Sequence, residues 1–257
     1  MAKKGKFDIN AISIPTFSVT LLNGKTVKVR AIVMKEYRNL LLAKDGSDEL
    51  DDQIDAIEQV VSNAIMDDID HTELTPYDFE MIFIKAFAFG TGENKIRANF
   101  QCTNQVTKID VDGIESQGPC AALIKGAIEI DKIRPSVDTI STDLHKDFVI
   151  QDSVSVRLRQ PTFNDVSLLT TNSAEGVIEG IIRQFESVTV GDVVSDINLI
   201  SDEDLNELFD RIEPLVIADM FKYVSNIPQV QSTIKMKCPS CSKRYSHTLT
   251  GINSFFI

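Results

Sequence analysis

The chain is poor in the residues that carry most enzyme chemistry. It has 3 histidines, His71, His145 and His247, and none stands in a nucleophile or metalloprotease pattern. Gly90-Thr91-Gly92 is not followed by the Lys-Ser or Lys-Thr pair of a phosphate loop, so it reads as the end of a helix. Nothing in the sequence sets two carboxylates across a cleft, and an enzyme is not expected. Basic residues are also in deficit. With 26 Lys and Arg against 38 Asp and Glu, the formal charge is −12 and the pI is near 4.7. A general phosphate-binding surface would meet repulsion instead of counterion release, which disfavours DNA or RNA as the main partner. Long apolar runs are missing as well. The richest stretches, such as Met81 to Phe89 and Leu215 to Phe221, fall far short of the ~20 residues that a helix needs to cross a bilayer. A soluble chain with no membrane partner is expected. Met1-Ala-Lys-Lys-Gly-Lys is basic but leads into no apolar stretch, so it does not read as a secretory signal, and the expected compartment is the cytoplasm, where thiols stay reduced.

What the chain does have is a repeat of its own order. From Arg30 the first half runs from a strand pair through a short helix, a longer helix and a capped third helix to a strand pair opening on Cys102; from Arg159 the second half repeats this and opens on Cys238. Arg30 matches Arg159, Asp78 matches Asp204 and Cys102 matches Cys238 at an offset of about 130 residues, the mark of a duplicated structural unit. Two copies point to a scaffold rather than to one deep active site. Hydrophobic residues at 43% and charged residues at 25% are ordinary globular values, so the chain should fold, and its 257 residues suffice for two lobes.

The local signals fill in the elements. Phe17 to Leu22 and Thr26 to Val33 alternate around Asn23-Gly24, which tolerates the positive φ angles of a tight hairpin. Phe148 to Ile150 and Val154 to Leu158 form the counterpart. Helical periods follow over Met34 to Ala43 and over Phe163 to Thr171. Longer apolar faces come next, with Ile54, Ile57, Val60, Val61, Ala64 and Ile65 matched by Val177, Ile178, Ile181, Ile182 and Phe185. Thr75-Pro76-Tyr77-Asp78 and Ser201-Asp202-Glu203-Asp204 each place a hydroxyl cap three residues before an acid, and so start the third helices. The second of these, with Leu205, Leu208, Phe209, Ile212, Val216 and Phe221 on its apolar face, meets Pro214, which should kink or divide it. Ile96 to Phe100 and Val230 to Met236 read as strands, each with a return strand, ending near Gly113-Ile114 and Gly251-Ile252. Gln117 to Asp147 has no clean period, apart from some extended structure near Ala127 to Ile133.

The expected fold is therefore α+β: two pseudo-repeated lobes, each a β-hairpin, two to three helices and a terminal β-hairpin, the last hairpin carrying a zinc-ribbon-like knuckle. Residues 1–116 form the first lobe, 117–147 the connecting segment and 148–257 the second lobe. Arg30 and Arg159 should each pair with a carboxylate in their own lobe, with Asp78 and Asp204 as candidates.

The 4 cysteines are Cys102, Cys120, Cys238 and Cys241. Cys238-Pro239-Ser240-Cys241, between two strands, has the form of a zinc knuckle, in which a tight turn aims two thiolates at one tetrahedral ion. Cys102 and Cys120 would complete a shared site tying the lobes together, and His247 is a substitute ligand. The competing reading is a decayed ribbon that holds no metal and whose thiols are simply buried or reduced. A redox pair is disfavoured because such motifs sit at helix N-termini, not in strand turns. A catalytic zinc would need three His or carboxylate ligands with an open position, which the sequence does not supply.

Ile14-Pro15-Thr16, Asn23-Gly24-Lys25, Arg30, Lys35-Glu36 with Leu40-Leu41-Leu42-Ala43, Leu74 to Phe79 and Phe100-Gln101-Cys102 together resemble the tail baseplate hub proteins of T-even-type bacteriophages. Met236 to Cys241 followed by Ser254-Phe255-Phe256 is similar to that family's C-terminus. The resemblance implies a non-enzymatic protein that builds the hub of a contractile-tail baseplate, as an assembly chaperone or a minor hub component. Its implied partners are hub or wedge subunits, with a homo-oligomer as a further option. It would act in the host cytoplasm during assembly or remain in the virion tail baseplate. The alternative from another class is a zinc-ribbon nucleic-acid-binding regulator, with Lys235, Lys237, Lys243 and Arg244 around the knuckle. Phe255 and Phe256 are expected to dock on the second lobe or to anchor a partner.

Overall fold

Strand β1 (Thr16–Thr20) pairs antiparallel with strand β2 (Thr26–Arg30), and the chain reverses at Asn23-Gly24, where Gly24 takes a φ of +80°. The alternation points Val19, Val27 and Val29 inward, and all three are buried. The computed structural model describes residues 13–46, 50–109, 114–136, 144–165 and 174–252. Helices α1 (Met34–Gly46) and α2 (Leu50–Ala64) follow, α2 burying Ile57, Val60, Val61 and Ala64 along one stripe.

Helix α3 (Pro76–Thr91) starts as its cap sequence predicts. The Asp78 N–H donates to Thr75 Oγ1 at 3.2 Å, and Thr75 Oγ1 donates to the Asp78 carboxylate at 2.8 Å. It ends at Gly92, whose left-handed φ of +71° lets its N–H reach the Ala88 carbonyl. Gly90 serves a different purpose: a Cβ at that position would lie 2.5 Å from Ile32 Cγ1, so glycine is what lets α3 approach the chain leaving β2.

Strand β3 (Lys95–Gln101) does not fold back on the next strand, which corrects the expected terminal hairpin of the first half. Strands β4 (Gln105–Ile109) and β5 (Glu115–Pro119) pair with each other. The partner of β3 is β6 (Leu123–Glu129), in register from Lys95 opposite Glu129 to Gln101 opposite Leu123. The stretch read as lacking a clean period thus contains a full strand. Its Ile124 and Ile128 are buried, while the positions between them face outward or pack on other strands. A short 3-10 turn (Ile130–Lys132) leads to β7 (Arg134–Pro135).

In the second half, β8 (His145–Gln151), β9 (Val154–Arg159), β10 (Phe185–Val190) and β11 (Val193–Asp196) form one antiparallel sheet in the order β11-β10-β9-β8. The β10–β11 hairpin replaces the expected continuation of a helix face through Phe185: α4 (Ala174–Ile182) stops first, and Gly191 turns the hairpin with φ +59°. Of the helix expected over Phe163 to Thr171, a 3-10 turn (Phe163–Asp165) is seen, and the rest lies outside the described residues. Ser201 caps α5 (Asp202–Asp210) as Thr75 caps α3, and Pro214 opens α6 (Pro214–Ser225) at its first position. The break resets the helical phase. Met220 and Val224 become the buried face of α6, and Phe221, expected on that face, is 40% exposed. Strands β12 (Val230–Lys237) and β13 (Arg244–Thr250) form the final hairpin, and β7 pairs with the other edge of β12.

The architecture is α+β, with antiparallel sheets and helices gathered around two clusters of buried apolar side chains. One holds Phe148, Val156, Leu158, Ile181, Phe185 and Met220. The other holds Val29, Val61, Phe79, Phe83 and Ile128 together with Val230, Ile234, Met236 and Ile252. The final hairpin, counted with residues 148–257 on sequence grounds, therefore buries its inner face among residues of the first half. Strand β6 packs directly on β12, with so little space that a Cβ at Gly126 would lie 2.9 Å from Met236 Sδ. Among the described residues no helix is long and apolar enough to cross a membrane.

Candidate metal centre

Two necks in the strand framework carry the cysteines. At the first, β3 passes into β4 through Cys102, and β5 returns into β6 through Cys120. The Cys102 N–H donates to the Ala122 carbonyl at 2.9 Å, the Ala121 N–H to the Cys102 carbonyl at 3.0 Å and the Cys120 N–H to the Asn104 carbonyl at 2.8 Å. At the second, the turn between β12 and β13 is closed by Cys238 N–H to Lys243 carbonyl at 2.8 Å and Ser242 N–H to Cys238 carbonyl at 3.1 Å. Ala121 and Ser242 are the non-glycine residues with positive φ among those described, at 53° and 63°. Each directly follows a cysteine. Such angles are uncommon outside glycine and persist where the surroundings fix them.

These two necks meet. Cys102, Cys120, Cys238 and Cys241 bring their Sγ atoms within 4.8 Å of one another. Cys102 Sγ lies 3.6 Å from Cys241 Sγ, and Cys120 Sγ lies 3.8 Å from Cys238 Sγ. Cys102 and Cys238 are buried, Cys120 and Cys241 half-buried, and none of the four is in a disulfide. All four candidate ligands from the sequence are thus at one place. His247 is not with them. Its ring stacks on Phe100 with centroids 4.9 Å apart, and it faces Ile234 across the final hairpin.

Polar groups that the sequence reading did not single out surround the thiols. Tyr245 Oη stands 3.1 Å from Cys102 Sγ and accepts from the Asn104 N–H at 3.1 Å. Asn104 Nδ2 donates to Cys241 Sγ at 3.6 Å, and the Cys241 N–H donates to Cys238 Sγ at 3.5 Å. Burial opposes ionisation of Cys102, but the hydrogen bonds from Tyr245, from the Asn104 backbone and from the neighbouring thiols outweigh it and bring its pKa down to about 6. At Cys238 the backbone N–H of Cys241 favours a thiolate, yet burial and the adjacent Cys102 and Cys241 sulfurs prevail and push it up to about 11. Like charges at this separation oppose one another. The signal for Tyr245 was its place in the sequence: it is the second residue of the strand that leaves the Cys238–Cys241 turn, four residues beyond Cys241.

Elsewhere the two arginines do pair inside their own halves, but not with the acids expected. Arg30 makes two hydrogen bonds to Glu36, at 2.5 and 3.0 Å, and Arg159 donates to Asp165 at 2.8 Å, with Arg183 reaching the other oxygen of Asp165 at 3.0 Å. Asp78 is occupied by its cap and by the Leu22 N–H at 2.8 Å, and Asp204 by Ser201. Glu80, which the sequence reading passed over, reaches from α3 to the final hairpin: it accepts from Val230 N–H and Ile252 N–H, each at 2.8 Å. His71 and His145 lie against Glu58 and Glu186, at 3.0 and 2.6 Å. Phe255 and Phe256 lie outside the described residues.

The family described as T4 bacteriophage base plate protein matches this chain over residues 14–257. The chain is 24% identical over 236 residues to the baseplate hub assembly protein gp26 of Enterobacteria phage T4, an alignment covering 91% of this chain and 94% of that one. No solved structure matches it.

Proposed function

The chain belongs to the T4 bacteriophage base plate protein family, and we propose that it serves in building the hub of a contractile-tail baseplate by binding other baseplate subunits, without catalysing a reaction. The observation that carries this reading is the family match along nearly the whole chain, supported by the likeness to a relative named for hub assembly. The partners are hub or wedge proteins. Two roles fit: an assembly chaperone that acts in the host cytoplasm and leaves, or a minor hub component that stays in the tail baseplate.

The structure offers surfaces suited to such binding. In the sheet order β13-β12-β7, β13 is an outer strand, and β11 is an outer strand of the four-stranded sheet with Val193 and Val194 65% and 67% exposed. An outer strand can take up a strand from a partner, main chain to main chain. The duplication belongs to the same reading. Two hairpins end in an arginine that meets an acid six residues on, and two helices open on the same hydroxyl cap three residues before an acid. We take the two lobes to be repeats, redrawn along the two buried clusters so that the final hairpin belongs with the first.

The test is affinity capture of the tagged protein from infected host cells, with mass spectrometry of what it holds. Recovery of baseplate hub or wedge proteins supports the reading. Recovery of nucleic acid with no baseplate protein overturns it in favour of the zinc-ribbon regulator. Mass spectrometry of purified phage particles separates the two roles, since a chaperone is absent from the particle and a hub component is present. Hydrogen exchange on β11 and β13 in the captured complex tests the edge contact, and unchanged protection there removes it.

A further inference from the structure

We propose that Cys102, Cys120, Cys238 and Cys241 bind a single structural Zn²⁺ ion that clasps the final hairpin to the β3–β6 strand pair. The distances fit one ion. A tetrahedral zinc with Zn–S bonds of about 2.3 Å sets its sulfurs about 3.8 Å apart. The close pairs stand at 3.6 and 3.8 Å, and no separation within the four exceeds 4.8 Å. Disulfides need sulfurs about 2.05 Å apart, far closer than either pair. An iron–sulfur cluster would spread four thiolates over a wider cage than this one. Tetrahedral all-sulfur coordination suits zinc, and a donor set with no open position makes the site structural rather than catalytic.

The backbone supports the assignment independently. The left-handed residues Ala121 and Ser242 follow one cysteine on each neck, so both arms hold an uncommon conformation at the point where they aim a thiol inward. The Cys241 N–H and the Asn104 side chain donate to sulfur, as groups around a metal thiolate do. Four thiolates around a divalent ion leave a net charge of about −2. Lys237 and Arg244, paired across the base of the knuckle, together with Lys243 beside it, lie where they can offset that charge. The local basic cluster thus has a use that requires no nucleic acid.

The ion's position gives it a particular task. Cys120 and Cys238 are 118 residues apart, and Cys102 and Cys241 are 139 apart, so one ion closes very long loops between two strand layers that already pack through Gly126 and Met236. Glu80 fastens the opposite end of the same hairpin through Val230 and Ile252.

The experiment uses the full chain purified under reducing conditions, with bound metals measured by inductively coupled plasma mass spectrometry. The expected result is one zinc per chain, released by a mercurial that titrates thiols and replaced by cobalt with the sulfur-to-metal charge-transfer bands of a tetrahedral thiolate site. Cys241→Ser loses the ion, whereas Cys120→His, which keeps four ligands, retains it. Removing zinc should open the final hairpin to proteolysis between residues 230 and 250. A folded wild-type chain that carries no stoichiometric zinc and takes up no cobalt overturns the proposal. So do iron as the native metal, or disulfides among the four cysteines in the native protein. Because these readings use wild-type protein, they stand even if a cysteine variant fails to fold.

Discussion

Arg159 donates to Asp165 six residues further along the chain, and the Asp165 oxygen that receives it also takes the Thr162 N–H at 2.9 Å. Glu36 does the same with Arg30 and with the Val33 N–H, also at 2.9 Å. Each acid therefore joins a strand end to the turn that follows it. Burial alone would raise both carboxyls, but the arginine and the backbone donor outweigh it and hold each below the usual range. Asp165→Asn and Glu36→Gln should each cost about 2 kcal/mol in urea unfolding, because a part-buried guanidinium loses the charged partner that it holds through hydrogen bonds. Such depressed carboxyls contribute stability above their unfolded pKa, and it is lost as pH falls through the folded value. The acid limb of a stability profile should accordingly be shallower in either variant. A double variant with an unchanged acid limb would rule out this assignment.

Glu80 predicts the opposite slope. Burial pushes its carboxyl up to about 7 and that of Asp78 up to about 6, against the pull of their hydrogen-bond donors. A folded chain that keeps a proton the unfolded chain gives up loses stability as pH rises between the ordinary carboxylate range and the raised value, and levels off above it. From Glu80 the loss between pH 5 and pH 8 is on the order of 2 kcal/mol. Glu80→Gln offers one oxygen to two N–H donors, so it should be less stable at pH 5 yet flatter across this window. Thermal unfolding of both proteins at several pH values decides it, and equal slopes would mean that Glu80 does not titrate there.

Gly90→Ala should destabilise the chain by roughly 2 kcal/mol, since the new methyl would collide with the Ile32 side chain and, at 2.7 Å, with its carbonyl oxygen. A helical glycine free of such neighbours would gain from the change. Chemical denaturation reads the sign, and a stabilised variant would mean that α3 can shift away from Ile32 at no cost.

Tyr245→Phe removes the hydroxyl next to Cys102 and leaves all four thiols in place. Zinc affinity should drop about 10-fold with the fold intact, as measured by competition with a chromophoric chelator. Unchanged affinity would show that the Tyr245 hydroxyl only fills space.

Short-range chemistry was legible in the sequence, and long-range register was not. Asn23-Gly24, the two hydroxyl caps, Pro214 and the tight turn that carries Cys238 and Cys241 all act within a few residues, and each is found where the sequence put it. The pairing of β3 with β6 skips an intervening hairpin, and strands of similar alternation give no signal for which two meet. The β10–β11 hairpin had a local signal, alternating valines around Gly191-Asp192, but the apolar period of α4 runs straight into it. The partners of Arg30 and Arg159 were sought at the third helix, on the strength of the repeat, and both lay within one turn of chain. Cys120 could be grouped with the others only as a guess from sequence, because its approach to Cys238 depends on the β3–β6 register.

The first buried cluster is built from both ends of the chain, with Val29 and Val61 from one and Val230, Ile234, Met236 and Ile252 from the other. During synthesis the early helices and the first hairpin emerge long before those partners exist. Until the ribosome has delivered the last hairpin, Phe79, Phe83 and Ile128 have no β12 to cover them, and Glu80 lacks the two amides it binds. The first half must wait, partly uncovered, through the making of the second. A chain interrupted anywhere before Val230 thus cannot close its first core.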